Sequence, residues 1–476
     1  MNLLRSYKIF LFCFCVVYVG CKVPAITETQ HSKPTPGSWD NSSDTNNIAT
    51  IAWRDFFTDK NLISLIDSGL KNNQDLLITL QDIEIAQNDI KFRQGDLLPK
   101  VFAGGGIGVE KVGRYTSQGA GDASTEMTPG KPVQDWLPDY RAGINADWEV
   151  DIWKKLRNAK KAAITRYLST IEGKNFVVTN LVAEIANTYY ELTALDNQLD
   201  IVRQSIKLQQ NALEILRVQK QAAVVNELAV KRFEAEVLNS QHLEYEILQN
   251  ISVAQNKLNF LLGRYPEQIA RDKSAFINGT INQVKAGIPS QLLANRPDIK
   301  QAELELTASR LDLKVARAEF YPSLNISAGV GLQAFSPQYF LKMPESLIFS
   351  AVGDLAGPII NRKQIQAEFN KANARQVQAM YSYERTLVNA YIEVSNELSN
   401  LSNLDKMYDL KAREVDTLVA SIDISNDLFK SGRADYLEVL FTQRDALASR
   451  LELIETKKKQ YNSITNIYRS LGGGWK

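Results

Sequence analysis

The residue types that most often carry chemistry are scarce in this chain: 476 residues hold three cysteines and two histidines. His31 and His242 lie far apart, with no cysteine or second histidine near either, so the sequence offers no metal-ligand spacing. The glycine run Gly104-Gly-Gly-Ile-Gly108 superficially suggests a phosphate-cradling loop, but it follows Pro99 at a strand start and is repeated at Gly329 and Gly331. Small residues in crowded strands account for both copies. No Gly-x-Ser-x-Gly elbow is present. Glu234 and Glu236 are two apart on a helical stretch and do not face each other, which reads as a solvated surface. The chain reads as a non-enzyme.

The one residue with a defined chemical prospect is Cys21. Residues 1–20 carry Arg5 and Lys8, no acid, and the apolar run 9–19, the pattern of a secretory signal peptide. That run is shorter than the roughly 20 apolar residues a bilayer-spanning helix needs. Tyr18-Val-Gly-Cys21 resembles a bacterial lipobox, with Tyr18 where Leu is usual. A small residue before the cut and a thiol free to be acylated are what lipidation requires, so Cys21 becomes the lipid-bearing first residue of the mature chain. Cys13 and Cys15 leave with the signal peptide, and one cysteine cannot form an intramolecular disulfide. Loss of Arg5 and Lys8 takes the formal charge from +1 to −1, which gives no reason to expect a nucleic-acid partner. No cofactor is expected beyond the lipid on Cys21.

The elements that follow occur twice. Asn73-Gln-Asp-Leu, Leu98-Pro99 and the glycine-rich 101–108 are answered at an offset of 223 by Arg296-Pro-Asp-Ile, Tyr321-Pro322 and 324–331; Leu228 and Leu262-Gly263 are answered at an offset of 209 by Leu437 and Leu471-Gly472. The spacing is far longer than that of small solenoid repeats, which run to roughly 50 residues. The expected organisation is a signal peptide (1–20), an extended lipidated tether (21–50), a first repeat (51–263), a joining segment (264–294) within a mixed central region, and a second repeat (295–474). Each repeat comprises a helix, a β-hairpin (100–152 and 323–357) and a helical hairpin with its tip near 222–227 or 431–436. From about Trp153 to Gln221 no proline occurs, and Leu181, Ile185, Thr188, Leu192, Leu195, Leu199, Val202, Ile206, Gln209, Leu213 and Leu216 alternate three and four apart as a heptad seam.

After the signal peptide nothing is long and apolar enough for a transmembrane helix, so a membrane crossing has to be made by strands. Four strands per chain cannot close a barrel, and open edges cannot sit in hydrocarbon with their amides and carbonyls unpaired. Several copies must therefore contribute to one barrel. The long helices impose the same demand, because seams on more than one side leave a lone chain with apolar stripes exposed. A coiled-coil surface lipoprotein without a pore is the alternative on periodicity alone.

Further motifs specify the pattern. Asn295-Arg-Pro-Asp-Ile, Ala316-Arg-Ala-Glu-Phe-Tyr-Pro322, Asp147-Trp-Glu-Val-Asp-Ile-Trp-Lys-Lys-Leu-Arg157 and Leu428-Phe-Lys-Ser-Gly-Arg-Ala-Asp-Tyr-Leu-Glu-Val-Leu440 together resemble the outer-membrane efflux factor family, the TolC-like channels of tripartite pumps, and in particular its lipoprotein branch. Lys154 stands where that family usually has Gly. The resemblance implies an α+β membrane protein: a homotrimer in which each protomer gives four strands to a twelve-stranded outer-membrane barrel and long helices to a periplasmic α-barrel, with a mixed equatorial domain. It implies an exit duct for drugs or other small toxic solutes, served by a periplasmic adaptor and an inner-membrane pump of the RND type. A duct for secreted protein or peptide is the family's other use.

The resemblance also names residues at the periplasmic tips. Glu438 falls where the second turn commonly carries an acid. Phe429 sits where a gating tyrosine is often found and lacks its hydroxyl, leaving Arg433 and Asp435 to supply polar contacts. In the first repeat Ala223 replaces the expected Gly and Ala229 the acid, with Glu227 nearby. The tips, Ala222, Ala223, Val224 and Asn226 on one side and Ser431, Gly432 and Arg433 on the other, are the expected docking points for an adaptor's helical hairpin.

Overall fold

The computed structural model of the chain describes residues 36–39, 45–279, 285–357 and 362–476; the expected signal peptide, 1–20, and Cys21 lie outside them. The elements needed below are α1 (Lys60–Asn72), α2 (Gln74–Gly95), β1 (Lys100–Glu110), β2 (Leu137–Val150), α3 (Lys155–Gln221), α4 (Glu227–Leu261), α5 (Pro297–Ala318), β3 (Ser323–Ala334), β4 (Leu347–Ala356), α6 (Arg362–Lys430) and α7 (Tyr436–Ser470). The duplication holds element by element. α2 and α5 have 22 residues each, α4 and α7 have 35 each, and α3 and α6 have 67 and 69.

One compact unit comprises residues 85–167 and 304–380 and contains the sheet. Its four strands are antiparallel in the order β1-β2-β3-β4, so the two hairpins join through β2 and β3, and β1 and β4 are the edges. Glycines permit the closest approach at the centre. A Cβ on Gly143 would lie 2.7 Å from the Val330 carbonyl oxygen, and one on Gly331 would lie 2.5 Å from that of Ala142. The run Gly104–Gly108 therefore lies inside β1, and no helix N-terminus follows it as a phosphate loop would require. Between β1 and β2 lies a short helix, Ser117–Ser124, which Thr116 caps by accepting from the Gly119 N–H at 3.1 Å.

The second unit, within residues 31–84, 168–303 and 381–476, carries the apolar cores. All the α3 seam residues except Leu195 are buried, and Leu195 packs partly buried against the main core with Leu62, Ile66, Ile251 and Leu258. The seam positions lie on one face because a three-four alternation matches the helical period. The two repeats close on themselves alike. Asn73 donates to the Leu261 carbonyl at 3.0 Å, and Arg296, its counterpart, donates to the Ser470 carbonyl at 2.7 Å. Gly263 and Gly472 have positive φ, and a Cβ on either would strike the carbonyl oxygen of Asn72 or Asn295.

Two regions add detail to the sequence reading. The presumed tether contributes to the core before residue 50: Trp39 is buried, stacks on Tyr391 at 4.8 Å, and joins Ile299, Val394 and Leu471. A single indole is invisible to composition yet covers enough apolar surface to dock a strap. The joining segment forms short helices, Lys273–Asn278 and Leu292–Asn295, and Arg271 pairs with the buried Asp196 of α3.

Candidate functional site

Two features have the means to form a passage: the faces of the sheet and the tips of the helical hairpins. On β3 the even positions Leu324, Ile326, Ala328, Val330 and Leu332 are apolar, and the odd positions Ser323, Asn325, Ser327 and Gln333 are polar. β2 alternates likewise, with Tyr140, Ile144, Ala146 and Trp148 against Asp139, Arg141, Asn145 and Asp147. The register aligns the faces, since Ile144 opposes Val330, Trp148 opposes Ile326, and Val330 opposes Phe349. On the polar face Asp147 accepts from Ser327 Oγ at 2.7 Å and Asp139 accepts from Gln333 Nε2 at 2.7 Å. The apolar face is bare: Ile107 is 81% and Phe349 82% exposed. One dry face and one hydrogen-bonded face on strands of this length are what a lipid-facing, water-lined barrel wall requires. Among the described residues, no helix is long and apolar enough to cross a membrane.

The tips share one backbone design. In the first, Val224 N–H donates to the Gln219 carbonyl at 2.9 Å and Ala223 N–H to that of Lys220 at 3.0 Å; in the second, Arg433 donates to Leu428 at 2.9 Å and Gly432 to Phe429 at 3.0 Å. This is the helix-ending motif that needs a left-handed residue. Gly432 supplies it at φ 71°, and Ala223 is held there at φ 60° despite its methyl group. Lys154, the other position where Gly was expected, is likewise left-handed at φ 61°.

Side chains then make the tips differ. Lys220 and Glu227 form an ion pair across the first turn, and the hydrogen bond from Lys220 holds the Glu227 carboxyl below its ordinary pKa. Their counterparts at the offset of 209 are Phe429 and Tyr436, which pack partly buried against Leu213, Leu216, Phe233 and Val439. Asn226 caps α4 by accepting from the Ala229 N–H at 3.0 Å, whereas Asp435 makes no side-chain cap on α7. Arg433, Asp435 and Glu438 are exposed, and among the described residues none has a side-chain partner. Ala222, Ala223, Val224, Ser431 and Gly432 are also exposed. The Lys220–Glu227 pair was missed from sequence because it joins two helices across a turn; seven-residue spacing alone does not announce it.

Above the tips the packing is interrupted. Gln209 on α3, Ser240 on α4 and Gln443 on α7 are buried, and the Gln209 amide, Ser240 Oγ and Gln443 Oε1 lack a protein hydrogen-bond partner. They separate the tip cluster from the main core, which resumes at Ile206, Ile247 and Leu447. Among the described residues no group of histidine, cysteine and acidic side chains is placed to hold a metal.

A sheet with a lipid-facing side and a wet side, joined in one chain to two long helical hairpins, defines the channel class of outer-membrane proteins. The chain belongs to the outer membrane efflux protein family, whose pattern matches residues 65–264 and 288–473. It is 27% identical over 478 residues to the cation efflux system protein CusC of Escherichia coli O6:H1, covering 98% of this chain and 99% of that protein. It is 26% identical over 479 residues to the probable outer membrane lipoprotein SilC of Salmonella typhimurium, covering 98% and 99%. A crystal structure of a membrane protein from Pseudomonas aeruginosa shares the fold with a TM-score of 0.84 at 23% identity, over 94% of this chain and 99% of that one. The protein is an outer-membrane channel of an efflux system and not an enzyme.

Proposed function

We propose that the chain works as a homotrimer, each copy giving its four strands to one twelve-stranded barrel, and that it is the passive exit duct through which an inner-membrane RND-type pump and a periplasmic adaptor discharge drugs or other small toxic solutes. The observation that carries this reading is the two-faced sheet with its two free edges, β1 and β4, because four strands cannot satisfy those edges in a bilayer alone. The names of CusC and SilC, a cation efflux protein and an outer membrane lipoprotein, favour small-solute export and support a lipid on Cys21. The tips serve two roles in this reading. Ala222, Ala223, Val224, Asn226, Ser431, Gly432 and Arg433 dock the adaptor, while Glu438, Asp435, Arg433, Phe429 and Glu227 are the candidates for the narrowest ring. The exposed Arg433, Asp435 and Glu438, unpaired among the described residues, would engage other copies around a threefold axis.

Deleting the gene and scoring sensitivity to dyes, bile salts, antibiotics and metal cations tests the assignment. Raised sensitivity to at least one small-solute class is expected. Unchanged sensitivity together with loss of a secreted protein from the medium would mark the chain as a secretion duct instead.

A further inference from the structure

The register sets Lys100 opposite Asp147, Val150 opposite Leu324 and Ser323 opposite Ala356, so α2, α3, α5 and α6 all join the sheet at one end. Basic residues gather there. Segments 93–100, 149–161, 317–323 and 354–363 hold ten lysines and arginines against five acids, whereas 110–137 and 332–347 at the other end hold four against five. Lys100, Lys155 and Arg157 are partnered by Asp96, Glu149 and Asp151. Lys154, Arg362 and Lys363 are exposed and make no ion pair among the described residues.

The fold gives these three cations no internal reason to be there. Lys154 holds a left-handed φ of 61°, a conformation in which a glycine would be relaxed, and its counterpart at the offset of 209 is Lys363, again a lysine. The helices α2, α4, α5 and α7 carry an acid in the first turn, as the helix dipole favours, but α3 and α6 carry none and open on Lys155 and on Arg362-Lys363. The first N–H groups of α3 are already taken, since Asp151 accepts from Leu156 and Arg157 at 3.0 and 2.9 Å. Aromatic rings border the cations. Trp153, 46% exposed, stacks on Tyr321 at 4.6 Å and donates to the Pro322 carbonyl at 2.7 Å, and Trp148 on the apolar face donates to the Leu97 carbonyl at 3.1 Å. Phe320 meets Phe369 at 5.9 Å, which ties the start of α6 to the same end.

We propose that this end of the sheet is a collar for anionic phospholipid headgroups of the periplasm-facing leaflet, with Lys154, Arg362 and Lys363 meeting the phosphates and Trp153 and Tyr321 lying at the acyl boundary. The occupant is lipid because the collar continues the bare apolar face of the sheet, and an anionic lipid because the excess charge at this end alone is positive. Side chains make the site; no helix N–H is needed. The inference rests on the reading that the sheet crosses the outer membrane.

The test uses the full chain in neutral detergent, titrated with phosphatidylglycerol or with phosphatidylcholine of the same acyl chains, and bound lipid is followed by native mass spectrometry. Phosphatidylglycerol should bind about tenfold more tightly, and the preference should shrink at high salt. Lys154→Gln, Arg362→Gln and Lys363→Gln together should bring the two lipids within about twofold of each other, while Lys111→Gln with Lys342→Gln at the other end should leave the preference intact. Lys154→Gly should weaken phosphatidylglycerol binding about fivefold while the denaturation midpoint holds or rises, a split that a merely structural lysine would not produce. Equal binding of the two lipids by the wild type, or an unchanged preference in the triple variant, overturns the collar. Protein that also fails to insert into vesicles overturns the membrane-spanning reading with it.

Discussion

At the scale of single residues, strain and unpaired charge mark where this chain departs from its repeat. Ala223 and Lys154 sit in the left-handed region, which costs a residue with a Cβ roughly 1–2 kcal/mol, against roughly 0.5–1 kcal/mol for glycine's extra entropy. Ala223→Gly and Lys154→Gly should therefore each raise stability by about 0.5–1 kcal/mol, read as a higher denaturation midpoint. The sign is opposite to the usual effect of introducing glycine. Glu227 gives a pH dependence. Its folded pKa is lowered by the Lys220 hydrogen bond, so the stabilisation is complete above the ordinary carboxylate pKa and is lost as pH falls through the folded value. Hydrogen exchange at the first tip should accelerate on acidification below about pH 4.5 in the wild type and lose that dependence in Glu227→Gln. Glycine at an expected position was legible in the sequence; a left-handed Ala or Lys was not, because its conformation is imposed by the turn's hydrogen bonds.

At the scale of elements, the Arg-Pro-Asp motif and the broken seam make contrasting predictions. Arg296 is almost wholly buried, donates to Asp298, Glu393 and Ser470, and stands against a second arginine, Arg469, on Glu393. Burial works against its charge, yet Asp298 and Glu393 raise its pKa. Arg296→Ala leaves the half-buried Asp298 carboxylate without its arginine and the Ser470 carbonyl without its donor, and should cost about 3 kcal/mol, measured as loss of folded protein at growth temperature. Gln209→Leu should have the reverse effect, adding about 1–2 kcal/mol of protection in hydrogen exchange of the tip, because it removes a buried amide without a protein partner. The seam itself was readable from three-four spacing, Gln209 included. That its polar member coincides with Ser240 and Gln443 was not, since three helices must be assembled before one layer exists.

At the scale of the whole molecule, the proposed pore predicts an electrostatic signature. If three copies of Glu438 ring the periplasmic end, polyvalent cations should block single-channel current from that side, and Glu438→Ala should weaken the block about tenfold. An equal block in the variant would take Glu438 out of the constriction. Cys21→Ser should abolish incorporation of labelled acyl chain yet leave the protein in the membrane fraction, because the strands remain. The sequence by itself determined the duplication, the helices, the paired strands and the tip positions, since each is written in local spacing: prolines, glycines and the three-four alternation act within a few residues of themselves. Only the tertiary structure decided the sheet order and register, the Trp39 dock, and the Lys220–Glu227 pair set against Phe429–Tyr436. Those depend on which distant segments meet, and that choice is made by packing and hydrogen-bond closure over the whole chain, where the local spacing of either segment is the same whether its partner is present or absent.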